Sequence, residues 1–476
     1  MKRLFVLCII FSWPLFGQTY DAFFLKTTMR VDYYHIGTKE KEYITLDKVY
    51  EESAWPGSIN NLLDTLNLGD SFVTISDLQT GMLLYSRGYS TLFNEWQTTD
   101  ESINGTWKTF HETVRFPFPR RKVMAAFFRR DKFVAAGEMM AFREMFSVVI
   151  DPNDPTAVNR KKHTSPFKEF DVMINGPVEK KVDILIVGDG YTKDDMEKFR
   201  NDAQHFTETL FSYQPFKKHK EDFNVRALEV VSEDSGIDKP DQNIWKNTAL
   251  GTSYNTFGSI RYILTGENRA LRDIAGIVPY DFITILVNDN RYGGGGIFNL
   301  YTTCFTKAVQ PGQEWERDYV YVHEFGHCFG GLADEYYGSQ VSYNDFYQKG
   351  VEPWEPNITR MNRSENLKWK QFVSKSVPLP TPWKKSEYDS IEALRGQLDR
   401  LAPDYYQKRE SLLQQSRNIL QDSQWSGKVG AFEGAGYMSR GMYRPSIDCK
   451  MFALNPVDYD PVCSAAIERM IALYTH

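Results

Sequence analysis

The sequence predicts an α+β protein, in which a β-rich, sandwich-like N-terminal domain precedes an α/β domain that carries a helical insertion. Residues 18–150 contain short runs of β-branched and aromatic residues broken by polar turns, whereas residues 169–476 alternate apolar strands with helical segments. The chain of 476 residues is also too long for one ordinary hydrophobic core. Its 42% hydrophobic and 25% charged residues are typical of a folded globular protein.

Residues 1–17 have the pattern of an export signal. Met1, Lys2 and Arg3 give a positively charged start, residues 4–16 are mostly apolar, and Gly17 is a small residue suited to cleavage before Gln18. The apolar run is too short to span a bilayer, and no later segment has the length of a transmembrane helix. We therefore expect an exported protein that is secreted, periplasmic or held at the cell surface.

Strand signals dominate the N-terminal domain and end at a polar segment. The predicted strands cover residues 23–31, 42–46, 72–75, 82–85, 113–118, 123–128 and 146–150. Residues 151–168 are rich in Asp, Pro and basic residues, which predicts a linker between two domains.

The second domain begins with an apolar strand over residues 181–187, and a helix follows to about residue 211, capped by Thr192 and Asp195. Strands at 224–231 and 282–287 predict a sheet with right-handed crossovers. We expect the last strand to lie at the sheet edge and to pair with an extended peptide, beside a mobile loop formed by the glycines at 293–296.

The charged helical residues 389–424, interrupted by Pro403, predict a solvated insertion without a catalytic role.

The segment that begins at residue 323 is the most informative part of the chain. His323 and His327 are four residues apart and share one face of a predicted helix that ends near residue 329, so both imidazoles can bind one cation. Glu324 can act as general base on a water molecule bound to the same ion. This H-E-x-x-H pattern predicts a hydrolase with one catalytic Zn²⁺ ion.

A catalytic zinc ion needs a third protein ligand. The extended pattern H-E-x-x-H-x-x-G-x-x-H would place a histidine at position 333, but that residue is Ala333. The next histidine after His327 is His476, at the end of the printed sequence. A carboxylate is therefore the stronger candidate for the third ligand.

Two carboxylates lie just beyond the expected position. The turn predicted at Gly330 and Gly331 allows the chain to reverse, because glycine accepts a positive φ after a helix. We prefer Asp334 as the third ligand, because a short side chain in a tight turn fixes its geometry well. Glu335 remains the alternative. If Glu335 is not itself a metal ligand, we expect it to orient one of the ligand histidines.

Residues 323–336, which read HEFGHCFGGLADEY, resemble the zinc motif of the IgA-peptidase family of bacterial metallopeptidases. The resemblance extends over about residues 170–476, and the β-rich front part is similar in kind to the N-terminal domain of that family. It implies a metzincin-like zincin fold for the catalytic domain, bound zinc, and an extended peptide or protein substrate. The family name makes a host glycoprotein one candidate substrate, although nothing in these residues encodes that preference.

Metzincin-like enzymes carry a methionine in a tight turn beneath the zinc ion, called the Met-turn. Cys449-x-Met451 resembles that turn, so the resemblance selects Met451 over Met438 and Met442. Each of these methionines could instead be an ordinary core residue, because thioethers fill gaps in packing well.

The tyrosines and cysteines leave alternatives open. Tyr336, Tyr437 and Tyr443 could each donate a hydrogen bond to the oxyanion of a hydrolytic reaction, and the sequence selects none of them.

Four cysteines remain after leader removal, which allows three full disulfide pairings, and their spacing lacks the C-x-x-C pairs of a structural zinc site. These cysteines are Cys304, Cys328, Cys449 and Cys463.

The leading hypothesis is an exported zinc metalloendopeptidase with Glu324 as general base. One alternative is an exported glycan- or protein-binding protein with a vestigial zincin core. Another is a zinc hydrolase that acts on a non-peptide bond, such as an amidase. The net charge of −6 gives no broad basic surface, so we expect no nucleic-acid partner.

Overall fold

The computed structural model of the chain describes residues 20–131, 142–160, 166–338, 346–361, 364–399 and 402–475. Over these ranges the protein is a mixed α and β structure with several sheets, which confirms the α+β prediction at this level. The predicted export signal lies outside the described residues. Within the described ranges, every helix is too short or too polar to cross a membrane.

The N-terminal part consists of two four-stranded sheets with strand orders β5-β1-β2-β8 and β4-β3-β6-β7. The strands are β1 (Phe24–Gly37), β2 (Glu42–Ala54), β3 (Ser71–Asp77), β4 (Leu83–Tyr89), β5 (Lys108–Pro119), β6 (Val123–Arg130), β7 (Phe142–Ile150) and β8 (Val158–Asn159). The short helices are α1 (Tyr20–Phe23), α2 (Leu92–Trp96) and α3 (Asp100–Ile103).

The two sheets enclose one apolar core. Burial alternates along β3, as expected for a strand with one face toward the core. Val31 and Phe116 of the first sheet and Ile75 and Phe127 of the second belong to the same buried cluster. The Tyr33 ring meets Phe127 edge-on, with ring centroids 5.0 Å apart, so aromatic packing joins the sheets.

The second part is built on a six-stranded sheet of order β15-β16-β14-β10-β11-β9. Its strands are β9 (Lys168–Met173), β10 (Val182–Asp189), β11 (Phe223–Glu229), β14 (Phe282–Val287), β15 (Gly294–Ile297) and β16 (Tyr301–Phe305). Two small hairpins add β12 (Thr252–Ser253), β13 (Leu264–Thr265), β17 (Phe432–Ala435) and β18 (Met438–Arg444). The helices are α4 (Met196–Leu210), α5 (Asn268–Ala275), α6 (Glu314–Gly330), α7 (Lys385–Gly396), α8 (Tyr405–Gln421) and α9 (Pro461–Thr475).

Four parallel strands form the centre of this sheet, and an antiparallel strand lies at each edge. Every residue of β10 and β14 is buried, because helices cover the faces of the sheet. Helix α6 packs on β15 and β16, and its Phe329 ring lies 4.7 Å from the ring of Phe282 in β14. The sheet therefore fixes the position of α6.

Two sequence predictions about the sheet edge are wrong. Strand β14 lies inside the sheet between β10 and β16, and the glycines at 294–296 form the edge strand β15 instead of a mobile loop. The glycines are needed because α6 passes very close: a Cβ on Gly296 would lie 2.1 Å from the Glu324 carbonyl oxygen. Glycine in a strand often marks such a close approach.

The predicted helical insertion is a pair of packed helices, α7 and α8, on either side of Pro403. It contacts the remainder of the fold through a buried ion pair. Arg409 Nη1 of α8 lies 2.7 Å from Glu316 Oε1 in the first turns of α6.

Charged residues join the two parts of the chain. Arg115 of β5 donates to Glu52 Oε2 at 2.9 Å and to the Tyr280 carbonyl oxygen at 2.7 Å. Arg30 of β1 pairs with Asp273 of α5 at 2.8 Å. Of the predicted linker, residues 161–165 lie outside the described ranges, and β8 within it pairs with β2.

We predict that Gly296→Ala destabilises the protein by about 1–3 kcal/mol, because the new methyl group would displace the backbone of α6. Urea unfolding of the variant measures this loss. Gly266→Ala is the matched control, since a Cβ at that glycine meets nothing within 4 Å. Equal stability of the two variants would contradict the close approach of α6 to β15.

Candidate metal centre

Helix α6 and the turn that follows it carry the candidate ligands. The helix ends at Gly330, and Gly331 adopts a left-handed conformation with a φ of 60°. The Gly331 N–H donates to the His327 carbonyl oxygen at 3.1 Å, which closes the last turn. The chain then reverses, so Asp334 returns alongside the helix face that bears His323.

Three ligand atoms converge on one point. His323 Nε2 lies 2.9 Å from Asp334 Oδ1 and 3.2 Å from His327 Nε2, and His327 Nε2 lies 3.2 Å from the same Asp334 oxygen. Ligands in a tetrahedral zinc shell are separated by about 3.3 Å when each metal–ligand bond is about 2.0 Å. The spacing of the three atoms therefore fits a small divalent cation.

The other nitrogen of each imidazole is fixed by a main-chain carbonyl. His323 Nδ1 lies 3.0 Å from the Lys450 carbonyl oxygen, and His327 Nδ1 lies 2.6 Å from that of Leu332. A carbonyl can only accept, so both Nδ1 atoms carry a proton and both Nε2 atoms face the shared point. Tyr319 donates to the same Lys450 oxygen at 2.8 Å.

Asp334 is held as a carboxylate. Burial alone would raise its pKa, but the imidazoles of His327 and His323 hold the pKa of Asp334 well below its usual range. In turn, although burial opposes protonation, Asp334 raises the pKa of His327 to about 9. Tyr437 donates a hydrogen bond to the second carboxylate oxygen, Asp334 Oδ2.

Glu324 lies on the same helix between the two histidines. Burial raises its pKa, while the nearby His323 and His327 oppose that rise. A Cβ on Gly294 of β15 would lie 3.0 Å from Glu324 Cγ, so this carboxylate is next to the edge strand. A carboxylate with a raised pKa is suited to accept and return a proton.

Glu335 lies apart from the two histidines. Its Oε1 atom accepts from Asn357 Nδ2 at 3.0 Å and lies 3.3 Å from Cys463 Sγ. The two carboxylates left open by the sequence are thus separated: Asp334 contacts both histidines, whereas Glu335 contacts a buried cysteine.

Met451 lies directly beneath α6. It is fully buried, and its Sδ atom would be 3.0 Å from a Cβ on Gly326, the residue before His327. Its carbonyl oxygen accepts from the Glu335 N–H at 2.9 Å. The other two methionines considered, Met438 and Met442, pack in a separate cluster around Ile358.

Several contacts around the centre gave no signal in the sequence. Arg261 donates to Tyr336 Oη at 3.3 Å, and the Tyr336 ring stacks on His323 with centroids 6.2 Å apart. Tyr437 has a positive φ of 63°, which no tyrosine pattern predicts.

Comparison with known protein families agrees with this geometry. Residues 171–471 match the family model described as IgA peptidase M64. The chain belongs to the IgA peptidase M64 family. Residues 19–140 match the model of the peptidase M64 N-terminus, so the resemblance inferred from the zinc motif is confirmed. No curated protein matches the chain.

Membership of the M64 family makes the protein a peptidase that acts on peptides or proteins. The family consists in general of metallopeptidases, and the cluster of His323, His327 and Asp334 is a group of the kind that can hold a metal ion.

We predict that Tyr437→Phe weakens the affinity of the candidate centre in this M64 peptidase for a divalent metal ion by about 10–100-fold, because the hydrogen bond that orients Asp334 is lost. Competition with a fluorescent chelator measures the affinity. Tyr443→Phe is the control, since Tyr443 packs in a different cluster. Unchanged affinity in the Tyr437 variant would show that its hydroxyl does not support the ligand.

Proposed function

We propose that this chain is an exported, zinc-dependent endopeptidase in which His323, His327 and Asp334 hold one zinc ion. The observation that carries the proposal is the convergence of three ligand atoms within 3.2 Å of one another, beside the half-buried side chain of Glu324. Two neutral imidazoles and one carboxylate match the ligand sets of catalytic zinc sites.

Zinc bound there would polarise the scissile carbonyl and lower the pKa of a water molecule. The residues of the chain perform the remaining steps. The Glu324 carboxylate accepts a proton from the attacking water and then donates it to the nitrogen of the leaving amine. The carbonyl oxygens of Lys450 and Leu332 keep the two histidines in the required tautomer.

The substrate we propose is an extended peptide that pairs with β15. Gly294 of this edge strand bonds to the main chain of Arg261 and Ile263 on the side away from β16. Residues of a strand that are two apart present their main-chain groups to the same side, so Gly296 faces that side as well. A peptide paired with Gly296 would pass next to Glu324 and His327, which both lie against this glycine.

Export is proposed from residues 1–17 alone, which have the charged start and apolar run of a leader. The metzincin-like character of the catalytic domain rests on the zinc motif together with Met451 beneath α6. A host glycoprotein substrate has no support from contacts among the described residues, so the proposal names only an extended peptide.

We predict that Glu324→Ala lowers kcat for cleavage of an unfolded protein by about two to four orders of magnitude, since the general base is removed. Zinc content should stay at the wild-type level, because Glu324 is not a ligand. Glu314→Ala, an exposed glutamate at the start of the same helix, should keep wild-type activity. A Glu324 variant with full turnover and full zinc would overturn the mechanism.

We also predict that a strong chelator abolishes cleavage and that added Zn²⁺ restores it, because the carboxylate and imidazoles cannot activate water alone. This experiment separates the peptidase from a binding protein with a vestigial centre, which would not cleave under either condition. Activity on a small amide, with none on any peptide, would instead favour an amidase.

A further inference from the structure

A second group of possible metal ligands lies outside the centre described above. It consists of Glu335, Cys449, Asp460 and Cys463, each of which places a ligand atom within 4.8 Å of the others. All four side chains are buried, with exposures of 0%, 0%, 6% and 0%. The sequence gave no sign of this group, because its cysteines lack C-x-x-C spacing and only the fold brings them together.

Two distances within the group are close to those of a tetrahedral metal shell. Cys449 Sγ lies 3.8 Å from Cys463 Sγ, and Cys463 Sγ lies 3.3 Å from Glu335 Oε1. With a Zn–S bond of about 2.3 Å and a Zn–O bond of about 2.0 Å, tetrahedral geometry requires about 3.8 Å between sulfurs and about 3.5 Å between sulfur and oxygen. Both measured distances agree with these values.

Two carboxylate oxygens in the group lack partners among the described residues. Glu335 Oε2 and Asp460 Oδ2 are buried without a hydrogen bond. A buried oxygen of this kind is costly unless a proton or a cation satisfies it.

Main-chain N–H groups and one buried cation offset part of the cost of burying anionic ligands in this group. The main-chain N–H groups of Met451 and Asp460 donate to Cys449 Sγ at 3.5 and 3.4 Å, and those of Val462 and Cys463 donate to Asp460 Oδ1 at 2.7 and 2.9 Å. Such donors stabilise a thiolate or a carboxylate more than the protonated form. The fully buried Arg444 adds a positive charge that acts on Glu335.

We propose that Glu335, Cys449, Asp460 and Cys463 bind a second zinc ion with a structural role. Two thiolates and two carboxylates form a closed shell, and a shell without an open position is typical of structural zinc. The ion would join three segments: the chain after Asp334, the Met-turn and the start of α9. It would thereby hold the segment that carries Asp334 in a fixed position relative to the turn whose Lys450 carbonyl oxygen contacts His323.

The test measures metal content in the whole secreted form of the chain, purified without chelator. His323→Ala/His327→Ala should retain about one zinc equivalent in the second group, and Cys449→Ser/Cys463→Ser should lose that equivalent. Cobalt-loaded His323→Ala/His327→Ala should also show the near-ultraviolet charge-transfer absorption of a thiolate–cobalt bond. Since the cysteines are intact in this variant, the test does not depend on the cysteine variant folding.

The control is Cys304→Ser, because Cys304 is buried yet lies outside the group and hydrogen bonds to main-chain oxygens of Phe305 and Arg317. This variant should keep the metal content of the wild type. A Cys449–Cys463 disulfide found by mass spectrometry without reductant would overturn the proposal. A metal-free His323→Ala/His327→Ala protein would also overturn it, because protons on the Glu335 and Asp460 carboxyl groups would then take the place of the cation.

The metal measurements distinguish a failure of the second site from a failure of the proposed catalytic zinc site. If the catalytic centre did not bind zinc, the wild type and the histidine variant would hold the same single equivalent, with the thiolate–cobalt absorption in both. If only the second site failed, the wild type would hold one equivalent without that absorption, and the histidine variant would hold none.

Discussion

The reversal of the chain at Gly331 is the constraint on which both groups of ligands depend. A left-handed residue with a φ of 60° ends α6 and returns the next residues alongside the helix. A side chain with a Cβ would be strained in this conformation and would approach Trp354 and Phe298 at 3.0 and 3.2 Å. Without the reversal, Asp334 could not meet the histidines.

The residues after the turn explain why neighbouring carboxylates have different surroundings. The carbonyl oxygens of Asp334 and Tyr336 accept from Gly436 and Tyr437 on one side, whereas the Glu335 N–H donates to the Met451 oxygen on the other. This alternation is that of an extended chain, in which successive side chains also point in opposite directions. Asp334 therefore faces the histidines while Glu335 faces the cysteines.

The sequence predicted those parts of the site that depend on residues close together in the chain. The positions of His323, Glu324 and His327 on one helix depend on local periodicity, so they could be read directly. The preference for Asp334 used only the missing histidine and the glycine turn, which are also local. The contacts of Tyr437 and Lys450 come from segments more than a hundred residues away and have no local signal.

The fold shows the same limit. Runs of β-branched and aromatic residues identified the long strands of the N-terminal part, since this strand preference is local to each segment. Local patterns do not predict the order of the strands in the second sheet. A strand built from glycines also contradicts ordinary strand propensity, because glycine is depleted in strands. The approach of α6 leaves no room for a Cβ at Gly296, and the approach of Tyr262 and Ile263 leaves none at Gly295, which explains why β15 is built from glycines.

The turn at residues 449–451 lies between the two groups of candidate ligands and contacts both. The Lys450 carbonyl oxygen accepts from His323, the Met451 side chain lies under Gly326, and Cys449 Sγ accepts from the Met451 N–H. Three successive residues therefore contact the catalytic helix on one side and the buried cysteine group on the other. Because the Lys450 carbonyl oxygen orients His323, any interaction that fixes Cys449 also limits the movement of His323. An ion bound at the cysteines would thus act on the candidate metal centre by restricting the turn at residues 449–451, without contacting substrate.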